Sequence, residues 1–289
     1  MENLAAINGK PRSAMIHLLV ALVPVLEAAV ILYGLKAVAI IAVCVTASVL
    51  SEFFFNMIAK KPQSATDLSA AVTGLILALC LPAETTLWQC LVGSIFAIVI
   101  VKCAFGGFGK NFVNPAVAAK VMLVIAFAST AADSIANVSA FDRFFGYVEA
   151  GAPIGSTSAF AVLVGALYLL LVRVIKWEAP LAYILGVFAL SFAFGGTLGA
   201  AVSGILGGGV IFGAIFMLTD PVTSPKKTWG KVVYALLCAV LTVLINKFGT
   251  YGAHAVAFAI LFMNIIVPYV DMLIDAIEAK MTKTEEVAE

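Results

Sequence analysis

The sequence predicts an all-α polytopic membrane protein of about ten transmembrane helices in a five-plus-five inverted repeat, and three observations predict it. Hydrophobic residues make up 63% of the chain and charged residues 11%, with a mean hydropathy of +1.11. Soluble domains have roughly 45–50% apolar and about 25% charged residues. The chain also divides into ten apolar runs on the scale of the roughly 20 residues that one helical crossing needs. Finally, two of these runs repeat one another. A net charge of +1 excludes a basic nucleic-acid binder and an acidic disordered chain, so the expected surroundings are membrane lipid and not nucleic acid.

The chain reads as a single integral membrane domain over 1–289. Residues 1–14, with Glu2 and Lys10, form a polar tail. No small-residue cleavage pattern follows the first apolar run, so no cleavable signal peptide is expected. Apolar runs fall at about 15–34, 37–58, 68–82, 86–102, 115–131, 157–173, 179–195, 198–218, 232–246 and 253–274, bounded by Gly, Pro and charged clusters. The first half of the fold spans 15–131 and the second 157–276, with a second polar tail at 277–289. Between the halves, 132–156 carries Asp133, Asp142, Arg143 and Glu149 among small polar residues. If the N-terminus is cytoplasmic, most Lys and Arg fall on that side. Only Lys36, Arg143 and Lys247 fall outside, and Lys120 falls within the fifth helix. That excess orients the chain with both termini cytoplasmic and 132–156 outside. No loop is long enough for a soluble catalytic domain, so any chemistry lies in the membrane or at its surface.

The repeat joins Thr73–Pro82 and the following Thr86 and Trp88 to Phe212–Pro221 and the following Thr228 and Trp229. Gly74 and Gly213 have the same separation as Pro82 and Pro221. The copies are the third and eighth helices, and an odd shift of five places them in opposite orientation across the bilayer. Such repeats with short, Pro-ended helices place a ligand between the halves.

Charge inside the runs is confined to Glu27, Glu52, Lys120, Asp271 and Asp275. Each is a functional candidate because its cost must be offset by a partner or by water. Glu27 could pair with Lys120 structurally, and Asp271 and Asp275 suit an interfacial helix end. The cysteines Cys44, Cys80, Cys90, Cys103 and Cys238 show no CxxC spacing, so an iron–sulfur or metal cage from this chain alone is not expected. His17 and His254 are single and far apart.

Three strings carry more specific chemistry. Gly106-Gly107-Phe108-Gly109-Lys110-Asn111-Phe112-Val113-Asn114-Pro115-Ala116 joins two runs on the cytoplasmic side. Its glycines permit close backbone approach, while Asn111, Asn114 and Pro115 suit a turn into a helix N-terminus that favours an anionic or polar ligand group. Gly155-Ser156-Thr157-Ser158 precedes the sixth run, and Thr219-Asp220-Pro221-Val222-Thr223-Ser224-Pro225 follows the eighth.

In order and spacing these strings resemble the RnfD/NqrB family, which comprises the RnfD membrane subunit of the Rnf complex and its NqrB relative in the sodium-pumping NADH:quinone oxidoreductase. There GGxGxNxxNPA, a GSxGETS-like string and TDPV(T/S)(S/A) occupy the same places, and the resemblance covers nearly the whole chain. It implies a fold like the urea and ammonium channels. It also implies a flavoprotein subunit of a ferredoxin:NAD oxidoreductase that couples electron transfer to Na+ or H+ translocation, not catalytic alone, in a prokaryotic inner or plasma membrane. The implied partners are other membrane and peripheral subunits that carry flavin and iron–sulfur centres. The implied cofactors are FMN joined through its phosphate to a hydroxyl, and riboflavin.

The family attaches FMN in a D-x-x-(S/T)-x-A-T-like string of the outer loop. The corresponding stretch here runs from Asp133 to Phe141 and places Ser139 at the acceptor position, with Val138 before it and Ala140-Phe141 after it. Flavin bonded to Ser139, flavin held without a bond and flavin absent from this subunit all remain open. The family's Glu in GETS is replaced by Ser156, and Thr157 is a second candidate hydroxyl or a helix N-cap. Asp133, Ser139, Thr157 and Ser158 thus form an outer candidate site. Gly106, Gly107, Asn111, Asn114, Asp220 and Thr223 form a second one on the opposite side. The alternatives from other classes are a small-solute channel or carrier and a structural anchor subunit without flavin.

Overall fold

The computed structural model describes residues 11–127, 139–148, 151–250 and 252–288. Asp133 and Glu149 lie outside the described residues. The described chain is mostly helical and contains no strand, with one isolated antiparallel bridge between Pro82 and Pro153. Helices α1 (Pro11–Tyr33) and α2 (Leu35–Ile58) form a hairpin around Gly34, whose φ of 60° suits a residue without Cβ. Then come α3 (Ser69–Cys80), α4 (Leu87–Cys103), α5 (Pro115–Phe127) and a short α6 (Ala140–Phe145). The second half holds α7 (Ala159–Leu171), α8 (Glu178–Gly195), α9 (Leu198–Leu206), α10 (Val210–Met217), α11 (Thr228–Phe248) and α12 (Ala255–Ala288).

Local chemistry sets these boundaries. Thr86 and Gln89 form a capping box at the start of α4, and Thr197 accepts from the Ala200 N–H at the start of α9. The apolar run expected as one helix over 198–218 is interrupted at Gly207–Gly209, and α9 and α10 meet at a bend of 57°. Two stretches are wound as π-helix, Phe96–Cys103 within α4 and Gly213–Met217 within α10. Helix α6 lies in the segment over 132–156 that the sequence reads as a loop.

Among the described residues five helices, α1, α2, α8, α11 and α12, are long and apolar enough to cross a bilayer, and the bent pair α9–α10 makes six. The apolar helices α3, α4, α5 and α7 are shorter. At 1.5 Å per residue the 12 residues of α3 extend about 18 Å, short of the roughly 30 Å hydrocarbon layer. Helix α3 is buried around most of its circumference and α10 around all of it, whereas only 22% of the apolar window of α8 is buried. Short helices at the centre ringed by apolar, outward-facing ones are the arrangement of a multi-pass membrane protein.

Gly74 and Gly213 are both close-approach positions. A Cβ on Gly74 would lie 2.6 Å from the Cys44 carbonyl oxygen of α2, and one on Gly213 would lie 2.4 Å from Val256 Cγ1 of α12. The expected pairing of Glu27 with Lys120 does not form. Glu27 is exposed on α1, and Lys120 donates instead to the Cys80 carbonyl at the end of α3. Asp271 accepts from the Lys226 N–H and Asp275 pairs with Lys227.

Candidate functional site

The 106–114 and 219–223 strings meet at one cavity. After α4 the chain turns through Gly106, Gly107 and Gly109, with φ of 114°, 93° and 83°, conformations that side-chain-bearing residues rarely adopt. The Gly107 N–H donates to the Lys102 carbonyl and the Lys110 N–H to the Gly107 carbonyl, which closes the turn. Gly106 and Gly107 therefore shape the loop and stand outside the cavity lining. The loop delivers two buried amides. Asn111 Nδ2 donates to the Val113 carbonyl at 3.0 Å, and Asn114 caps α5, its Oδ1 accepting from the Ala116 and Val117 N–H groups at 3.0 and 3.3 Å.

From the other half of the chain, Asp220 forms a turn after α10. Its Oδ1 accepts from the Val222 N–H and its Oδ2 from the Thr223 hydroxyl, both at 3.1 Å. Burial pushes the Asp220 carboxyl above its ordinary value, and the two hydrogen bonds oppose that shift. Asn264 of α12 joins the two loops. Its Oδ1 accepts from the Asn114 N–H at 3.0 Å, while its Nδ2 donates to the Thr223 carbonyl at 3.2 Å and to the Tyr234 hydroxyl at 2.8 Å.

Between these loops lies a cavity of about 80 Å³. Asn111, Asn114, Thr219 and Asp220 line it together with Ser69 and Thr73 of α3 and Lys102 of α4. Its walls are apolar, including Val72, Ile76, Phe108 and Phe216. Thr223 is buried behind it and holds Asp220. Lys102 is bound on its far side: Nζ lies 2.8 Å from Glu52 Oε1 and donates to Ser69 Oγ at 2.6 Å. Ser64 also donates to Glu52 Oε1. Both π-wound stretches contribute to this cavity, Lys102 from α4 and Phe216 from α10, in keeping with the tendency of π-bulges to occur at functional positions.

The other described candidates, Ser139, Thr157 and Ser158, belong to segments tied to the C-terminal end of α3. Ser139 is exposed and caps α6, its Oγ accepting from the Asp142 N–H at 3.1 Å and donating to Asp142 Oδ2 at 2.8 Å. Thr157 is buried and donates to the Ile154 carbonyl, and it is Ser158, one residue on, that caps α7 through the Ala161 N–H. Ser158 Oγ donates to the Phe145 carbonyl and the Tyr147 N–H to the Thr157 carbonyl, so α6 is tied to the start of α7. The Ile154 N–H in turn donates to the Leu81 carbonyl at the end of α3.

Sequence reasoning misses Ser69, Lys102 and Asn264. Lys102 reads only as a basic helix end, although its position and that of Glu52 near the same predicted membrane face carry a signal for a pair. A scan of the apolar runs for neutral amides, as well as for charges, finds Asn264.

The chain matches the profile of the NQR2, RnfD, RnfE family over residues 8–280. It is 36% identical over 282 residues to the D subunit of the Na(+)-translocating ferredoxin:NAD(+) oxidoreductase complex of Acetobacterium woodii, covering 90% of this chain and 87% of that one. With the D subunit of the proton-translocating ferredoxin:NAD(+) oxidoreductase complex of Clostridium ljungdahlii it shares 31% over 286 residues, 87% of this chain and 86% of that one. With the B subunit of the Na(+)-translocating NADH-quinone reductase of Chromohalobacter salexigens it shares 32% over 235 residues, 69% of this chain and 56% of that one.

Proposed function

Because the chain belongs to the NQR2, RnfD, RnfE family, we propose that it is the flavin-carrying RnfD subunit of an Rnf-type ferredoxin:NAD oxidoreductase complex, in which electron transfer drives Na+ or H+ translocation. In this reading the ten apolar helices cross or enter the membrane as two inverted halves, with α3 and α10 as the paired half-length helices at the centre. The relatives work in complexes by their names, so the partners are the other membrane and peripheral subunits, which carry flavin and iron–sulfur centres.

The observation that carries the reading is the convergence of the 106–114 and 219–223 strings on one polar-edged, apolar-walled cavity. A flavin ring has apolar faces and an edge of alternating hydrogen-bond donors and acceptors, and when bound it supplies one- or two-electron transfer. The residues present fit such an edge. Asn111 and Asn114 offer amides, Ser69 a hydroxyl and Lys102 an ammonium, with Phe108 and Phe216 on the walls. At about 80 Å³ the cavity admits part of such a ring and not the whole molecule, and we propose that it takes the hydrogen-bonding edge of riboflavin.

Ser139 fits an FMN phosphoester by its exposure, and Asp142 Oδ2, 2.8 Å from its Oγ, holds the hydroxyl proton. The exposed Asp142 carboxylate would repel a phosphate held there only weakly, since like charges are well screened in water. The interior lends the solute-channel reading little: Cys80 Sγ of α3 contacts Met217 Sδ of α10 at 3.7 Å, so the two central helices meet side chain to side chain. The experiment is intact-mass spectrometry of the chain purified from its complex, together with the absorbance of released flavin. One FMN mass on the chain and one riboflavin released on denaturation are expected. A chain with neither defeats the proposal and favours the structural anchor.

A further inference from the structure

A second polar constellation lies at the C-terminal end of α3, and none of the sequence strings includes it. Lys120 of α5 and His254, immediately before α12, are 3% and 4% exposed. Both line two small cavities, one of about 30 Å³ that also touches Cys80, Ser156, Gly208 and Gly209, and one of about 10 Å³ that touches Thr85 and Gln89. Lys120 donates to the Cys80 carbonyl. Among the described residues no Asp or Glu lines either cavity, and neither ring nitrogen of His254 has a hydrogen-bond partner. Lys102, by contrast, is neutralised by Glu52.

A buried ammonium without a counter-charge is costly, and so is a buried imidazole whose nitrogens make no hydrogen bond. One occupant removes both deficits if it is negative, for Lys120, and accepts a hydrogen bond, for an N–H of His254. Size narrows the choice. A water-sized guest needs roughly 10–15 Å³, so about 30 Å³ suits one small ion and not a phosphate ester or a ring. Gly208 and Gly209 leave that wall without side chains.

We propose that the Lys120–His254 cavity binds a single inorganic anion of the halide class, which neutralises Lys120 within the apolar layer. The proposal does not rest on the flavin reading above.

The test is thermal unfolding of the purified full chain in a neutral detergent, at constant sodium and ionic strength, with chloride, bromide or gluconate as the anion. Saturable stabilisation by chloride and bromide but not by gluconate is expected, with at least a ten-fold weaker response in Lys120→Met. Because Lys120→Met removes a buried charge it should fold. If it does not, His254→Leu provides the same comparison, with at least a five-fold weakening expected. Equal unfolding temperatures in the three anions overturn the proposal, as does a chloride response that survives either substitution unchanged.

Discussion

Replacing Glu52 by Leu tests whether the ion pair beside the cavity lined by Asn111 and Asp220 holds that part of the structure together. Lys102 Nζ and Glu52 Oε1 are 2.8 Å apart, and their side chains are 2% and 1% exposed. Charge centres about 4 Å apart attract by about 4 kcal/mol at an effective dielectric constant of 20. Removing one member of a buried pair costs about 3–5 kcal/mol, because the other charge stays buried and uncompensated. Glu52→Leu is therefore expected to destabilise the chain by about 3–5 kcal/mol, with Lys102 left to its bond with Ser69. The double variant Glu52→Leu/Lys102→Met exchanges the pair for apolar groups and should recover most of that loss, to within about 1–2 kcal/mol of the parent protein. Denaturant unfolding of the full chain in detergent, arranged as a double-mutant cycle, reads both numbers. A loss below about 1 kcal/mol in Glu52→Leu, or a double variant no more stable than the single, refutes the reasoning.

Asn264→Leu removes the bonds to the Asn114 N–H, the Thr223 carbonyl and the Tyr234 hydroxyl. At about 1–3 kcal/mol per buried group left unpaired, it should lower stability by at least about 2 kcal/mol. It should also release riboflavin from the purified chain, and wild-type flavin absorbance in this variant counts against the assigned cavity. Ser139→Ala should abolish the FMN mass adduct while leaving unfolding nearly unchanged, since it removes one cap of a short exposed helix worth about 1 kcal/mol at most; an adduct that persists moves the linkage elsewhere. For Asp220, burial raises the folded-state pKa above the unfolded value, so its protonated form contributes stability below the ordinary carboxyl pKa, and this is lost as pH rises through the folded value. Asp220→Asn keeps an acceptor for Val222 and does not titrate. It should match the parent protein at pH values near the ordinary carboxyl pKa of 3.8 and equal or exceed it at neutral pH. A variant clearly less stable than the parent at neutral pH contradicts this sign.

Most of the outer shell of the fold is legible in the sequence because lipid imposes a strong signal. The runs at 15–34, 37–58 and 179–195 correspond to α1, α2 and α8 within a few residues. The centre is less legible, because α3 and α10 are apolar on all sides and periodicity says nothing about which neighbours they touch. The break at Gly207–Gly209 is hidden in a continuous apolar run, and only the run of glycines hints at it. The site at the cavity lined by Asn111 and Asp220 is half legible. Its strings are conspicuous, yet the residue that joins them, Asn264, sits alone among apolar residues of α12. Ser139 stands out as a hydroxyl, but the Asp142 carboxylate that holds its proton reads only as one more charge in a polar loop.

The two polar constellations follow from one constraint. A half-length helix leaves N–H groups at one end and carbonyls at the other inside or near the apolar layer, where water is scarce, so each end needs partners from the chain. At the start of α3, Asp67 accepts from the Ser69 N–H, and Ser69 Oγ in turn accepts from Lys102. At its end Lys120 binds the Cys80 carbonyl and favours the negative pole of the helix. At the end of α10, Asp220 organises Val222 and Thr223. Both polar constellations therefore lie at the ends of the two central half-helices. A substitution that lengthens α3 by replacing Pro82 with Ala would remove the need for Lys120 at Cys80. Lys120→Met should then cost less in the Pro82→Ala background than alone, a non-additivity that unfolding measurements on the four chains would expose and that strict additivity would deny.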